Sequence, residues 1–464
     1  MKTYRQLRTT RSITKTAGRA WRTIAACTLA LAASAGPALA ECDTSICSGD
    51  PCTITGTHYI DCLCDLNFGS KTVTIAPSAT LRADGCCFSI EAANLIVSGT
   101  LRARAGCITV TTTGYVTTNI VSNSAGTIDV SDGGSADITA GGAVTLNGRN
   151  VDADNSAGYA GDIAIIGSSV SGTSAVHADG GDGGDGGNLD ISSTTGAVSL
   201  TGNVTTNGGG SYGWGGYITV DSADALTVGT STRRMQAKGA SGGDGGTIDL
   251  TAAGSAAING DINANGAGTD GGYGGDISID AAYFSCATVS AITATGGSGG
   301  GDGGYIDITA TCGASVDCDM DVGGQGEMAW GGDITIDAGA GSGCTALVTA
   351  NSRLEADSSG TDASDGTVEV SGCSVTHSGV FDTRNTNLDS GTNIVRYRNN
   401  FTANAGSSML ADDDGGNLIY CRCVDTTPAD GVCDTPAACV NSPTLNGTVN
   451  PAATIIPTAM AACS

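Results

Sequence analysis

The chain has 464 residues with 46 acidic and 20 Lys or Arg side chains, a net charge of −26, and only 4% aromatic residues against 73 glycines. So acidic a surface excludes nucleic acid and anionic lipid as partners. So few aromatics exclude a conventional globular core at this length and leave a thin, repetitive core of small and branched residues.

Residues 1–40 hold seven basic residues and no acid; an apolar run spans Thr23 to Ala35, and the stretch ends Pro37-Ala38-Leu39-Ala40. A basic start, an apolar middle and a small-residue end read as a secretory signal peptide cleaved after Ala40. Cleavage would leave 13 basic against 46 acidic side chains, a net charge of −33, and 18 cysteines. An even cysteine count in an exported chain points to disulfides made in an oxidising compartment. No later stretch reaches the ~18 apolar residues of a membrane helix.

Residues 41–68 carry Cys42, Cys47, Cys52, Cys62 and Cys64 and read as a cysteine-rich N-terminal cap. Residues 69–400 are repetitive. Val73-Thr74-Ile75 with Leu81 is echoed 22 residues later by Leu95-Ile96-Val97 with Leu101, with Cys86, Cys87 and Cys107 among these short repeats. Then nine related words (GTIDV, GDIAI, GNLDI, GYITV, GTIDL, GDISI, GYIDI, GDITI, GTVEV) begin at Gly126, Gly161, Gly187, Gly216, Gly246, Gly275, Gly304, Gly332 and Gly366. Each alternates branched apolar residues with small or polar ones, the period of a strand with one buried face. Two further apolar segments follow in most repeats, such as Val198/Leu200 and Val204 after Gly187. Three short strands per repeat of about 29 residues, separated by Gly, Asn and Asp turns, describe one coil of an all-β, right-handed parallel β-helix.

The words alternate in kind. Their middle residue is Asp129, Asp190, Asp249, Asp307 and Glu369 in the odd copies but Ala164, Thr219, Ser278 and Thr335 in the even ones. Three even copies place the acid two residues earlier, at Asp162, Asp276 and Asp333. Stacked carboxylates at ~4.8 Å would repel, and alternation doubles that spacing. The odd-copy acids should therefore face solvent. The loops before each word alternate in step, GGDGG types with aromatic types. Stacked, these glycine-rich inserts should form a ridge along one corner.

Residues 401–464 read as a final coil and a second cap with Cys421, Cys423, Cys433, Cys439 and Cys463, while Cys286, Cys312, Cys318, Cys344 and Cys373 sit where they could bridge neighbouring coils. Cys62-x-Cys64 and Cys421-x-Cys423 lack the spacing of common zinc sites.

Candidate chemistry is sparse. His58, His177 and His377 are far apart, and Lys71 and Lys238 are the only lysines beyond residue 40. Asp317, Asp319 and Asp321 alternate with Cys318, Met320 and Val322, which places three carboxylates on one strand face and raises a glycosidase-like pair, a cation site or a plain acidic surface as alternatives. Asp182, Asp185, Asp244 and Asp302 in the GGDGG loops could hold calcium with loop carbonyls, although no cofactor is required. Tyr159, Tyr212, Trp214, Tyr273 and Trp330 lie in the ridge, where exposed aromatics could stack on sugar rings or anchor a partner, or shield the corner by packing over glycines.

The word G-G-x-I-x-I followed by GAVSLTGNV (Gly196–Val204) or GAVTLNGRNV (Gly142–Val151) resembles the repeats of secreted β-helix adhesins of the filamentous-haemagglutinin and autotransporter-passenger type. The resemblance covers roughly residues 70–400. It implies a secreted, extracellular or surface-associated (alternatively periplasmic) structural or adhesive protein that binds glycans, extracellular matrix or surface proteins, or itself; the poverty in His, Lys and aromatic residues favours a protein that is not an enzyme. The 64 residues from Phe401 are too few for the barrel an autotransporter carries. A carbohydrate-active β-helix enzyme is the alternative reading. Ice binding is a third, which Thr109-Val110-Thr111, unrepeated in register, does not favour.

Overall fold

The computed structural model describes residues 44–460 apart from 122–123, 340–343, 350, 361–363, 385–390, 413–414, 425–434 and 459. The segment read as a signal peptide, and Cys42, Cys433 and Cys463, lie outside the described residues. The chain is a parallel β-helix of about 28 residues per turn. Each coil lays one strand on each of three walls. In one coil these are Asn188–Ser193 on wall 1, Val198–Leu200 on wall 2 and Val204–Thr205 on wall 3. Wall 3 is a 15-stranded sheet. Walls 1 and 2 join in one sheet because strands such as Asp276–Cys286 and Tyr305–Val316 run on around the corner between them.

The register is regular. On wall 1, Leu189, Ile218, Ile248, Ile277, Ile306 and Ile334 pair in succession and are all at most 1% exposed. Wall 3 contributes Val204, Met235, Ile262, Ile292 and Met320 to the same interior. Each such side chain contributes ~1.5–3 kcal/mol by leaving water, so a short alternating strand suffices when every coil repeats it. Near the last coils the interior turns polar and aromatic. Asn393 donates to Asn417 at 2.9 Å inside the helix, beside buried Phe381, Tyr397 and Phe401.

Glycine shapes the ridge corner by allowing close approach. The amide of Gly246 donates to Ala237 O at 2.6 Å and pinches the loop between them shut. Gly187, Gly216, Gly275, Gly304, Gly332 and Gly366 make the same neck bond in their coils. A Cβ on Gly246 would stand 2.0 Å from Gly216 O of the preceding coil, so only glycine fits.

Three expectations are corrected. The word at Gly126 does not belong with the other eight: its strand, Thr127–Asp129, lies on wall 3 between Thr100–Arg102 and Asn150–Asp152. The wall 1 strand of that coil is Ser135–Ala140, so Asp137, not Asp129, stands in register with Ala164 and Asp190. Asp129 is nearly buried and bound to Arg104 at 2.9 Å. Secondly, part of the segment read as an N-terminal cap already forms a coil, because Cys52–Ile54, Thr57–Tyr59 and Cys64–Asn67 pair in parallel with the coil after it. Thirdly, Cys312 and Cys344, read as bridge candidates, carry free thiols; the Cys344 thiol faces the Thr311 carbonyl at 3.2 Å.

Disulfides join Cys47–Cys52, Cys62–Cys86, Cys87–Cys107, Cys286–Cys318 and Cys421–Cys439, and Cys64, Cys373 and Cys423 are also disulfide-bonded. Bonds such as Cys87–Cys107, between residues in register on adjacent coils, staple the stack directly. So many bridges fit folding in an oxidising environment. Among the described residues no helix is long and apolar enough to cross a membrane.

Candidate functional site

The ridge corner is where the sequence gathered its aromatic residues, and the backbone there stacks as tightly as the walls. Ala160 N–H donates to Asp185 O, Gly186 to Trp214 O, Gly215 to Asp244 O, Gly245 to Tyr273 O, Gly274 to Asp302 O and Gly303 to Trp330 O, all at 2.7–3.0 Å. These bonds put Tyr159, Asp185, Trp214, Asp244, Tyr273, Asp302 and Trp330 in one column, one residue per coil, aromatic and acid in strict alternation. The aromatic side chains are 69, 56, 53 and 42% exposed in chain order, too open to be core.

The acids of the column have a structural role that spacing alone did not reveal. Asp185 Oδ1 accepts the Trp214 amide at 2.8 Å, Asp244 Oδ1 that of Tyr273 at 2.8 Å, and Asp302 Oδ1 that of Trp330 at 2.9 Å. Each GGDGG loop thus fixes the aromatic loop of the next coil. The four acids read as calcium ligands are not brought together. Three stand two coils, about 9.6 Å, apart, and Asp182 sits exposed at a loop tip. Among the described residues no group of three or more His, Cys, Asp or Glu side chains converges as a metal site. Tyr212 behaves differently from the other aromatics: its ring lies over Gly242 and its hydroxyl donates to Asp270 at 3.3 Å, so it shields the corner although 61% exposed.

Wall 1, next to the ridge, displays carboxylates in a checkerboard. The central outward column runs Asp137, Ala164, Asp190, Thr219, Asp249, Ser278, Asp307, Thr335 and Glu369. Asp190 and Asp307 are exposed and Asp249 half-exposed, as the alternation required. A second column two residues on carries Ser192, Asp221, Thr251, Asp280, Thr309, Asp337 and Ser371, with its acids in the opposite coils. Ser371 Oγ donates to Asp337 at 2.9 Å, a hydroxyl on the next coil serving a carboxylate. Tyr217 and Tyr305, 52 and 37% exposed, open two of these strands beside the ridge. They went unnoticed in the sequence because they sit inside the strand word rather than in the loop; the words GYITV and GYIDI were the available signal.

The remaining candidates are held by hydrogen bonds within their own turn or to neighbouring coils. Asp317 accepts from Thr288 and Thr349 on the coils either side, hydrogen bonds that hold its carboxyl below the usual range. It lies in the turn before the strand Asp319–Asp321, not on it. Asp319 accepts the Arg353 amide at 2.9 Å and Asp321 the Gly323 amide at 2.8 Å. His377 is buried, bonded through Nε2 to Ser408 O at 2.9 Å, and burial pushes it down to about 4. His177 bonds Thr205 at 3.0 Å on wall 3 and His58 its own loop at Thr55 O. A shallow acidic depression beside wall 3 is lined by Arg104, Asp132, Asp152, Asp154 and Asp179. There burial lifts Asp154 to about 6, while Arg104 is engaged by Asp129. No known protein family, curated protein or solved structure matches the chain.

Proposed function

We propose that this is a non-enzymatic structural or adhesive β-helix, extracellular or surface-associated, which holds glycans, matrix or a partner surface against its Gly–aromatic corner. The observation that supports this reading is the single column in which every second coil presents an exposed Tyr or Trp, with the backbone of Trp214, Tyr273 and Trp330 each fixed by an Asp of the preceding coil. A pre-organised row loses little conformational entropy when a ligand settles on it. The catalytic alternative would need an acid or base free to meet a substrate, and Asp317, Asp319 and Asp321 are each committed to a neighbouring backbone or hydroxyl.

Purified protein incubated with soluble and insoluble polysaccharides and matrix proteins, with and without calcium, tests this directly. Retention without release of sugar ends, weakened by Trp214→Ala with Trp330→Ala, is the expected result. Released reducing ends would overturn the non-enzymatic reading; retention indifferent to both substitutions would move the contact away from the corner.

A further inference from the structure

The corner column has a period as well as a surface. Tyr159, Trp214, Tyr273 and Trp330 recur at every second coil, so successive aromatic positions stand about 9.6 Å apart along the backbone column, and the four span about 29 Å along the axis. Asp185, Asp244 and Asp302 occupy the places between them. Both kinds of position are held by hydrogen bonds between successive loops, so the spacing is a property of the backbone and not of side-chain rotamers.

We propose that this column takes an extended, equatorially linked polysaccharide laid parallel to the helix axis, uncharged or carrying amino groups, with one disaccharide for every two coils. The inference rests on the adhesive reading above and names its ligand. In such a chain each pyranose ring is flipped relative to the last, so the structural repeat is two rings, whose length is close to two coil rises. One ring of each pair stacks its apolar face on a Tyr or Trp. The other crosses an Asp, whose carboxylate accepts from a hydroxyl or pairs with an amine. Charge selects among polymers of this shape. The chain carries 46 acids to 20 basic residues, and wall 1 beside the ridge adds its checkerboard of carboxylates, so uronate or sulfate polymers are repelled. Polymers that coil, such as α-linked glucans, cannot keep step with a straight row.

The test is isothermal titration of the purified full-length protein with β-1,4-linked glucose, N-acetylglucosamine and glucosamine oligomers of two to ten rings, against amylose and oligogalacturonate. Affinity should rise in steps at every second added ring and level off at about eight rings, where the ~29 Å row is filled. Trp214→Ala should lower the affinity of an eight-ring oligomer about tenfold and leave that of a two-ring one within about threefold, since other sites on the row remain. Both side chains are exposed, so an unchanged melting temperature separates lost binding from lost fold. Smooth growth with each ring, or equal affinity for oligogalacturonate, would overturn the inference and leave the adhesive reading standing if Trp214→Ala with Trp330→Ala still abolished binding. Absence of all glycan binding, with self-association in sedimentation that the same double variant removes, would overturn the inference but keep the corner as a contact surface. Glycan binding that survives the double variant would overturn both.

Discussion

Replacing Gly246 by Ala isolates the close approach on which the ridge depends. The backbone at Gly246 does not need a left-handed conformation, so an Ala is locally allowed, but its Cβ would stand 2.0 Å from Gly216 O and 2.6 Å from Gly215 C. Both are backbone atoms of the preceding coil and cannot rotate away. Restoring ordinary contact requires roughly 1 Å of separation, about a fifth of the coil rise. That much movement breaks the Thr247 N–H to Gly216 O bond and strains the neck bond to Ala237 O. Overpacking of this kind costs about 1–3 kcal/mol, and a lost backbone bond ~1 kcal/mol more, so about 2–4 kcal/mol is expected. Gly183→Ala is the matched control on the same ridge: its φ is +70°, yet an added Cβ would meet nothing nearer than Ser211 O at 3.8 Å. Only left-handed strain of about 1 kcal/mol applies there. Urea unfolding followed by circular dichroism, with hydrogen exchange to localise the loss, compares the two. If Gly246→Ala proves no more damaging than Gly183→Ala, coil spacing is not what the glycine column controls.

Asp244→Ala removes the acceptor of the Tyr273 amide; a loss of ~1 kcal/mol is expected, with faster amide exchange at Tyr273 and not at Tyr217, and slow exchange at Tyr273 in the variant would contradict the fixing role given to the acid. The C-terminal coils should weaken as pH rises. Burial and the neighbouring Asp412 push Asp365 up to about 8, and burial with Asp357 pushes Glu355 up to about 7. Folded pKa values above the unfolded ones mean the native state binds more protons through that window. Stability is therefore greatest near the ordinary carboxylate range and falls until pH passes about 8. Asp365→Asn should flatten the decline in a series of melting curves, and a decline unchanged in that variant would place its origin elsewhere.

The coil, its three strands and the ridge were legible because strand alternation and the GG step recur wherever coil length is constant. Legibility failed where length changed. The 35- and 26-residue intervals around Gly161 hide a shift of wall, and GTIDV satisfies wall 3 as well as GDIAI satisfies wall 1. The start of the stack was misplaced for a similar reason, since the first coil spends Cys52 and Cys64 where the next uses Val73 and Phe88, and cysteines read as cap. Asp185, Asp244 and Asp302 were visible as a set, but their task was not. An acid that receives an amide of the next coil and one that awaits a cation have the same spacing, and only the register between loops separates them.

The two-coil repeat itself follows from electrostatics on wall 1, and Thr219 is the position that tests it. Thr219 stands between Asp190 and Asp249 in one column, with Asp221 beside it on the same strand. Thr219→Asp would create two like-charge contacts at ~4.8 Å where the present acids keep ~9.6 Å. A unit-charge pair at that distance is worth ~0.9 kcal/mol in bulk water and more at the lower dielectric of a sheet surface. With two neighbours, about 1–3 kcal/mol of destabilisation is expected at low salt. It should shrink steeply toward 1 M salt, where the screening length falls to ~3 Å. Thr219→Asn, nearly the same shape without the charge, should cost little at any salt. Equal, salt-independent losses in the two variants would mean that shape and hydroxyl bonding set the alternation. A loss confined to the charged variant and erased by salt would mean that the checkerboard exists to keep a strongly acidic wall from opposing its own stacking.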